Sequence, residues 1–188
     1  MRIISGKHKG RRIELLKEAT DVVRPTSDFA REAIFNILSH GKLGLSRHPF
    51  EDQPVLDVFC GTGALGLEAL SRGASKVTFV DKSREALANA RYNAMKMHEE
   101  NAVELVQADA GRLPPSRTQY GLVFLDPPYF TDLLSPALAS LKAGGWLTPD
   151  ALLIVEHDAK QNLNLPEGFT AFDTRRYGRA VVELLRLS

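Results

Sequence analysis

Downstream of residue 54 the chain alternates between short apolar runs and longer stretches in which apolar residues return every three or four positions. The runs at 55–59, 77–80, 103–106, 121–125 and 152–155 are too short for helices and read as buried strands. Between them, 64–72, 84–98 and 133–141 carry helical spacing. Strands that alternate with helices predict a parallel sheet covered on both faces. The end of the chain differs. Segments 169–174 and 180–187 face each other across Arg175-Arg176-Tyr177-Gly178-Arg179 with no helix between, which predicts a closing antiparallel hairpin. Ahead of this body, Phe29, Ala33, Ile34, Ile37 and Leu38 recur at helical spacing, and Pro25-Thr26-Ser27-Asp28 supplies start signals for a helix over 26–39. Residues 2–5 and 11–15 read as two short strands around Gly6-Lys7-His8-Lys9-Gly10, and 40–53 as a connector.

Composition narrows the class. With 188 residues, 44% of them hydrophobic, the chain suits a single domain, 1–188, in which 1–40 form an N-terminal extension. The lone Cys60 excludes an internal disulfide and a cysteine zinc cage, and the five histidines lie far apart, so no metal is expected. No stretch approaches the roughly 18 apolar residues of a membrane span, and MRIISGKHKGRR lacks the apolar centre of a signal peptide, which favours the cytoplasm. A net charge of +1 hides an uneven distribution. Arg2, Lys7, Lys9, Arg11 and Arg12 crowd the first twelve positions with no acidic residue, and Arg175, Arg176 and Arg179 form a second basic cluster.

The candidate chemistry lies at strand ends. In LDVFCGTGALG, 56–66, a strand feeds a glycine turn that opens a helix, the usual floor of a cofactor pocket in such sheets. The spacing alone is a weak signal, because a tight strand-to-helix turn needs the same glycines. Asp57 sharpens it: a carboxylate here opposes a pyrophosphate, but suits S-adenosylmethionine, which has no phosphate and carries an ammonium and a sulfonium. Asp81 ends the next strand, where ribose hydroxyls are taken, and Asp109 the one after, where an acceptor for an adenine amino group is needed. For Asp109 alone a helix cap is the plainer reading. The fourth aspartate opens the corner in FLDPPYF, 124–130. Proline fixes φ and pushes the preceding residue into an extended conformation, so Asp126-Pro127-Pro128 is a rigid turn displaying a carboxylate, carbonyls and the Tyr129 ring. Parallel strands put their carboxyl ends along one edge, so the four aspartates should meet in one crevice.

This set resembles the class I S-adenosylmethionine-dependent methyltransferases that act on exocyclic amino groups. RIISGKHKGRR, RPTSDFAREAIFNIL, LDVFCGTGALGLEALSRGA, FLDPPY and RRYGRA further resemble the RsmD family, bacterial enzymes that methylate N2 of a guanine in small-subunit (16S) ribosomal RNA. The resemblance implies a Rossmann-like, doubly wound, mostly parallel seven-stranded sheet. It implies catalysis by Asp126, Pro127 and Tyr129, and cofactor binding by Thr26, Asp57, Phe59, Gly61, Gly63, Asp81, Lys82, Asp109, Ala110 and Asp126. It also implies RNA contacts from Lys7, Lys9, Arg11, Arg12, Arg24 and Arg176, with ribosomal RNA or an assembling small subunit as partner; the sequence leaves the oligomeric state open, a monomer being the expectation. Helix capping by Thr26 and a merely solvated basic hairpin remain open. Ser5, Phe29-Ala30 and Cys60 depart from the family pattern; Cys60 reads as filling a small-residue slot rather than as a nucleophile. A DNA or RNA adenine-N6 methyltransferase could use the same corner, whereas a protein glutamine methyltransferase typically opens it with asparagine. A nicotinamide-dependent dehydrogenase would leave DPPY without a purpose, and a bare RNA-binding module the row of aspartates.

Overall fold

The computed structural model describes residues 1–16, 28–40, 43, 49–129, 131–161 and 163–188. Among the described residues four α-helices and seven strands follow in chain order: α1 (Asp28–His40), β1 (Pro54–Val58), α2 (Ala64–Ser71), β2 (Lys76–Asp81), α3 (Arg84–Lys96), β3 (Val103–Gln107), β4 (Tyr120–Leu125), α4 (Leu134–Ala143), β5 (Leu147–Asp158), β6 (Phe169–Tyr177) and β7 (Ala180–Leu187). They form a single mixed sheet in the order β3-β2-β1-β4-β5-β7-β6. Strands β1 to β5 run parallel, and β7 pairs antiparallel with both β5 and β6. The parallel sheet and closing hairpin are those expected from the alternation, and the seven-stranded, Rossmann-like arrangement is the one the resemblance implies.

Residue parity explains why the central strands are apolar throughout. Side chains alternate across a sheet, so Val55, Val77, Phe79, Leu122 and Phe124 pack on one face with residues of α1, α2 and α3. Leu56, Val58, Val80, Val123 and Leu125 pack on the other with Leu134, Leu138 and Leu141 of α4. A sheet buried on both faces leaves no polar side to write into its strands.

Three departures from the sequence expectation go beyond an end residue or two. β5 begins at Leu147 rather than 152, because the register slips between Tyr120 and Leu122 and leaves Pro149 where no ladder bond is demanded. The expected turn at 175–179 shrinks to Gly178-Arg179, and Arg175 and Arg176 lie within β6, which is largely solvent-facing at the sheet edge. The N-terminal hairpin is shorter than expected: residues 1–3 and 10–13 pair antiparallel through the Arg2–Arg12 bridge and the bonds from Ile3 N–H to the Arg11 carbonyl, Gly10 N–H to the Ile3 carbonyl and Ile13 N–H to the Met1 carbonyl. Glu68, fully buried on α2, does the rest: its carboxylate accepts the N–H groups of Ile4 (2.7 Å) and Ser5 (3.0 Å) and pairs with Arg72 Nε at 2.7 Å. Arg31, also fully buried, donates to the Arg2 carbonyl at 2.6 Å. Among the described residues no helix is long and apolar enough to cross a membrane.

Candidate functional site

The strand order reverses between β1 and β4, and in open α/β sheets ligands bind in the crevice outside the carboxyl ends at that point. Parity and register load this crevice with acid. Asp57 shares a face with Val55, Asp81 with Val77 and Phe79, and Asp126 follows Phe124 by two, so all three side chains fall on the α2–α3 side. In register, Asp57 lies opposite both Phe79 and Phe124, which sets Asp81 and Asp126 one pleat further out on either side of it. Asp57, Phe59, Cys60, Gly61, Thr62, Ala64, Leu65 and Asp126 line one hollow, and Asp81 reaches its rim by accepting the Gly61 N–H at 3.2 Å.

The turn from β1 to α2 is built for close approach. Phe59 (φ 62°), Gly61 (φ 51°) and Gly63 (φ 78°) all take left-handed backbone, a strained choice for Phe59 that recurs at ligand sites. Gly63 caps α2 without a side chain to offer. Asp57 supplies the missing acceptor from the strand: its Oδ2 takes the Gly66 N–H at 2.9 Å. At Gly66 a Cβ would stand 2.5 Å from Phe79 Cε1 and 2.6 Å from Val77 Cγ1, so the helix sits against β2 at a distance that only glycine permits.

Electrostatics mark the crevice as a cation site. Burial pushes the Asp57 carboxyl well above the usual carboxylate range; the Gly66 N–H opposes this, and the Asp126 and Asp81 carboxylates push further the same way. Three acids crowded in this manner gain from a positively charged ligand, and would repel a phosphate. The Asp81 carboxylate is held rigid by Gly61 N–H and by Ser83 N–H (2.9 Å), and a carboxylate has about four lone-pair sites, which leaves about two for hydroxyl groups. Burial also raises the Cys60 thiol, with Asp57 and Asp81 adding to the effect, so it stays protonated and unreactive.

The remaining candidate positions divide. Asp126 directly follows β4, and its N–H stays in line with the Val58 carbonyl at 3.5 Å. Pro127 is buried and Pro128 exposed, and the Pro128 carbonyl accepts from Thr131 Oγ1 at 2.6 Å. Tyr129 donates its hydroxyl to Glu156 Oε1 at 2.9 Å. Asp109 caps the short 3-10 helix Ala110–Arg112 through the Gly111 N–H at 2.9 Å, with Ala110 buried beneath it. Lys82 is exposed just beyond β2. Lys9, Arg11 and Arg12 are exposed, while Lys7 Nζ meets Glu99 Oε1 at 2.5 Å beside His8. Arg176 lies on the β6 edge with its Nε donated to the Gly178 carbonyl at 3.1 Å. Thr26 and Arg24 lie outside the described residues.

Sequence reasoning overlooked Glu156 and Asn93. Glu156 ends an apolar run as the four aspartates do, and the strand-end rule applied to β5 would have found it. Asn93 of α3 carried no such signal. Its amide donates to the carbonyls of Glu14 (3.0 Å) and Thr62 (3.1 Å) and accepts the Glu14 N–H at 2.9 Å, joining the N-terminal segment to the glycine turn.

Comparison with known proteins agrees with this geometry. The sequence model of the family described as Conserved hypothetical protein 95 matches residues 1–186. The Ribosomal RNA small subunit methyltransferase D of Haemophilus influenzae is 34% identical over 183 residues, covering 95% of this chain and 89% of that protein. The protein of the same name from Escherichia coli K12 is 33% identical over 163 residues, covering 87% and 77%. The solved structure of the yhhF protein of Escherichia coli superposes with a TM-score of 0.80 at 29% identity, over 100% of this chain and 97% of that one. A match that begins at the basic N-terminal segment and runs through the glycine turn, the proline corner and the closing hairpin leaves one conclusion: the chain belongs to the RsmD family.

Proposed function

We propose that this protein transfers a methyl group from S-adenosylmethionine to the exocyclic N2 amine of a guanine in small-subunit (16S) ribosomal RNA, all 188 residues acting as one methyltransferase unit. The names of its relatives support a small-subunit RNA substrate. The observation that carries the chemistry is the meeting of Asp57, Asp81 and Asp126 at the switch point, beside a corner stiffened by two prolines.

S-adenosylmethionine, when bound, supplies an electrophilic methyl group on a sulfonium sulfur. The residues of this chain fit it: crowded carboxylates favour its positive charges, and the rigid Asp81 carboxylate is an acceptor for ribose hydroxyls. Phe59, Gly61, Gly63, Lys82, Asp109 and Ala110 complete the cofactor's surroundings. A guanine N2 amine is a poor nucleophile because its lone pair is delocalised into the ring. Asp126 and the Pro127 carbonyl accept its two N–H bonds, drawing the nitrogen toward tetrahedral geometry and aiming the lone pair into the crevice. Tyr129 stacks on the base, which must be unpaired or flipped to enter. Catalysis here is positioning and electrostatic preorganisation. The methylated amine is cationic and acidic, and gives its proton to Asp126 or water. Lys7, Lys9, Arg11, Arg12 and Arg176 neutralise phosphates of the RNA.

The test is nucleoside mass mapping of small-subunit rRNA incubated with the purified protein and S-adenosylmethionine. N2-methylguanosine at one site is the expected product. Methyladenine in its place, or methylation of DNA alone, overturns the assignment.

A further inference from the structure

We infer that Arg179 is a substrate-contact residue whose guanidinium meets a phosphate of the RNA strand that presents its target base at Tyr129. The inference rests on the function proposed above and adds a contact that the basic N-terminal segment does not provide. β6 and β7 close in two residues, Gly178 and Arg179, since Tyr177 pairs with Ala180. Gly178 has φ 63°, as the first central residue of a type II′ turn requires. β7 runs antiparallel to β5, so this tight tip returns to the carboxyl end of β5, where Ala180 pairs with Asp158 and the Ala159 N–H donates to the Arg179 carbonyl at 2.8 Å. The basic tip therefore stands beside the proline corner rather than at the far rim of the sheet.

Two carboxylates of β5 organise what stands there. Glu156 accepts the Tyr129 hydroxyl at 2.9 Å, and Asp158, two residues on and fully buried, accepts Arg179 Nε. The guanidinium carbon lies 5.7 Å from the Tyr129 ring centroid. The Arg179 side chain nevertheless remains 58% exposed. A guanidinium presents its donors in a planar fork suited to phosphate oxygens, and Asp158 orients this one through its Nε. Ring and cation thus sit together within one nucleotide's reach: the first suits a base, the second the backbone beside it. Arg175 forks onto Asp173 at 3.1 and 2.9 Å, and Arg176 Nε donates to the Gly178 carbonyl at 3.1 Å, both along the sheet edge.

The experiment measures methyl transfer to small-subunit rRNA over a salt series for the wild-type protein and for Arg179→Gln, Arg179→Lys and Asp158→Asn, with S-adenosylmethionine affinity and Tm measured alongside. Arg179→Gln should raise KM for RNA about tenfold with kcat within about twofold, and flatten the log–log salt dependence by about 0.7–0.9, the share of one phosphate contact. Arg179→Lys keeps the charge and should keep the slope. Asp158→Asn loses the anchor but retains the cation, and should keep the slope also. S-adenosylmethionine affinity stays at the wild-type value in all three. Unchanged KM and slope in Arg179→Gln overturn the inference, as does a loss of activity that follows Tm equally in every variant with the slope intact. If the wild-type protein binds S-adenosylmethionine yet methylates no RNA, the proposed function itself falls and takes this contact with it.

Discussion

Asp57 is the residue at which stability and ligand binding should pull in opposite directions, and Asp57→Asn separates them. The side chain is 2% exposed, and its Oδ2 holds the Gly66 N–H at 2.9 Å. Asparagine keeps a carbonyl oxygen for that bond and removes the charge. Replacing a charge-assisted bond by a neutral one costs about 1 kcal/mol. Against it stands the penalty of a buried ionised carboxylate, several kcal/mol, increased here by Asp126 and Asp81. Without ligand the variant should therefore be more stable at neutral pH by about 1–3 kcal/mol, and each kcal/mol raises Tm by about 2–4 °C for a chain of this size. The folded-state pKa is raised, so the wild-type contribution is fully present below an ordinary aspartate's 3.8 and is lost as pH rises through the folded value; the variant lacks this decline. With S-adenosylmethionine the order reverses, because a cationic ligand left without its carboxylate loses about 3 kcal/mol, or roughly a hundredfold in Kd. Thermal melts with and without the cofactor, together with calorimetric titration, read both effects. An asparagine variant that melts below wild type without ligand and binds the cofactor equally well refutes the reasoning.

Other perturbations test the scaffold around the site. Gly66→Ala pushes a Cβ to 2.5 Å from Phe79 and 2.6 Å from Val77, and should cost about 1–3 kcal/mol in chemical denaturation, with loss of cofactor affinity as the turn shifts. Glu68→Ala strands the Ile4 and Ser5 N–H groups and takes the carboxylate from Arg72, at a cost of about 3–5 kcal/mol; hydrogen exchange should rise first at those two amides. Burial works to lower the His157 pKa, but hydrogen bonds to Glu183 Oε1 and the Asp158 carbonyl outweigh it and hold the imidazole above its ordinary 6.5. The contribution of this group is present below 6.5 and lost as pH climbs through the folded value, so wild type should lose stability relative to His157→Gln on moving upward from 6.5.

The main body of the fold was legible because strands buried on both faces announce themselves as unbroken apolar runs, and because the aspartates at their ends stand out against them. Parity, which follows from sequence once strands are placed, then brings Asp57, Asp81 and Asp126 to one side. What escaped detection depends on partners remote in sequence. Residues 2–5 and 11–15 read as strands, yet the ladder covers only 1–3 and 10–13, and Glu68 takes the Ile4 and Ser5 N–H groups. Pro149 and Asp150 disguise the start of β5, since a local reading has no access to the register slip that accommodates them. Arg175 and Arg176 look like turn residues because an edge strand faces water. Lys7 counted as one charge of a basic cluster; its pairing with Glu99, brought near by the fold, was invisible in the local sequence.

The central claim is that the proline corner does chemistry while the crevice beside it holds the methyl donor. Single-turnover methyl transfer to small-subunit rRNA by Asp126→Ala, measured beside its Kd for S-adenosylmethionine, tests this most directly. Transfer should be slowed by at least about a thousandfold, with the Kd changed far less. Transfer at the wild-type rate would contradict the claim.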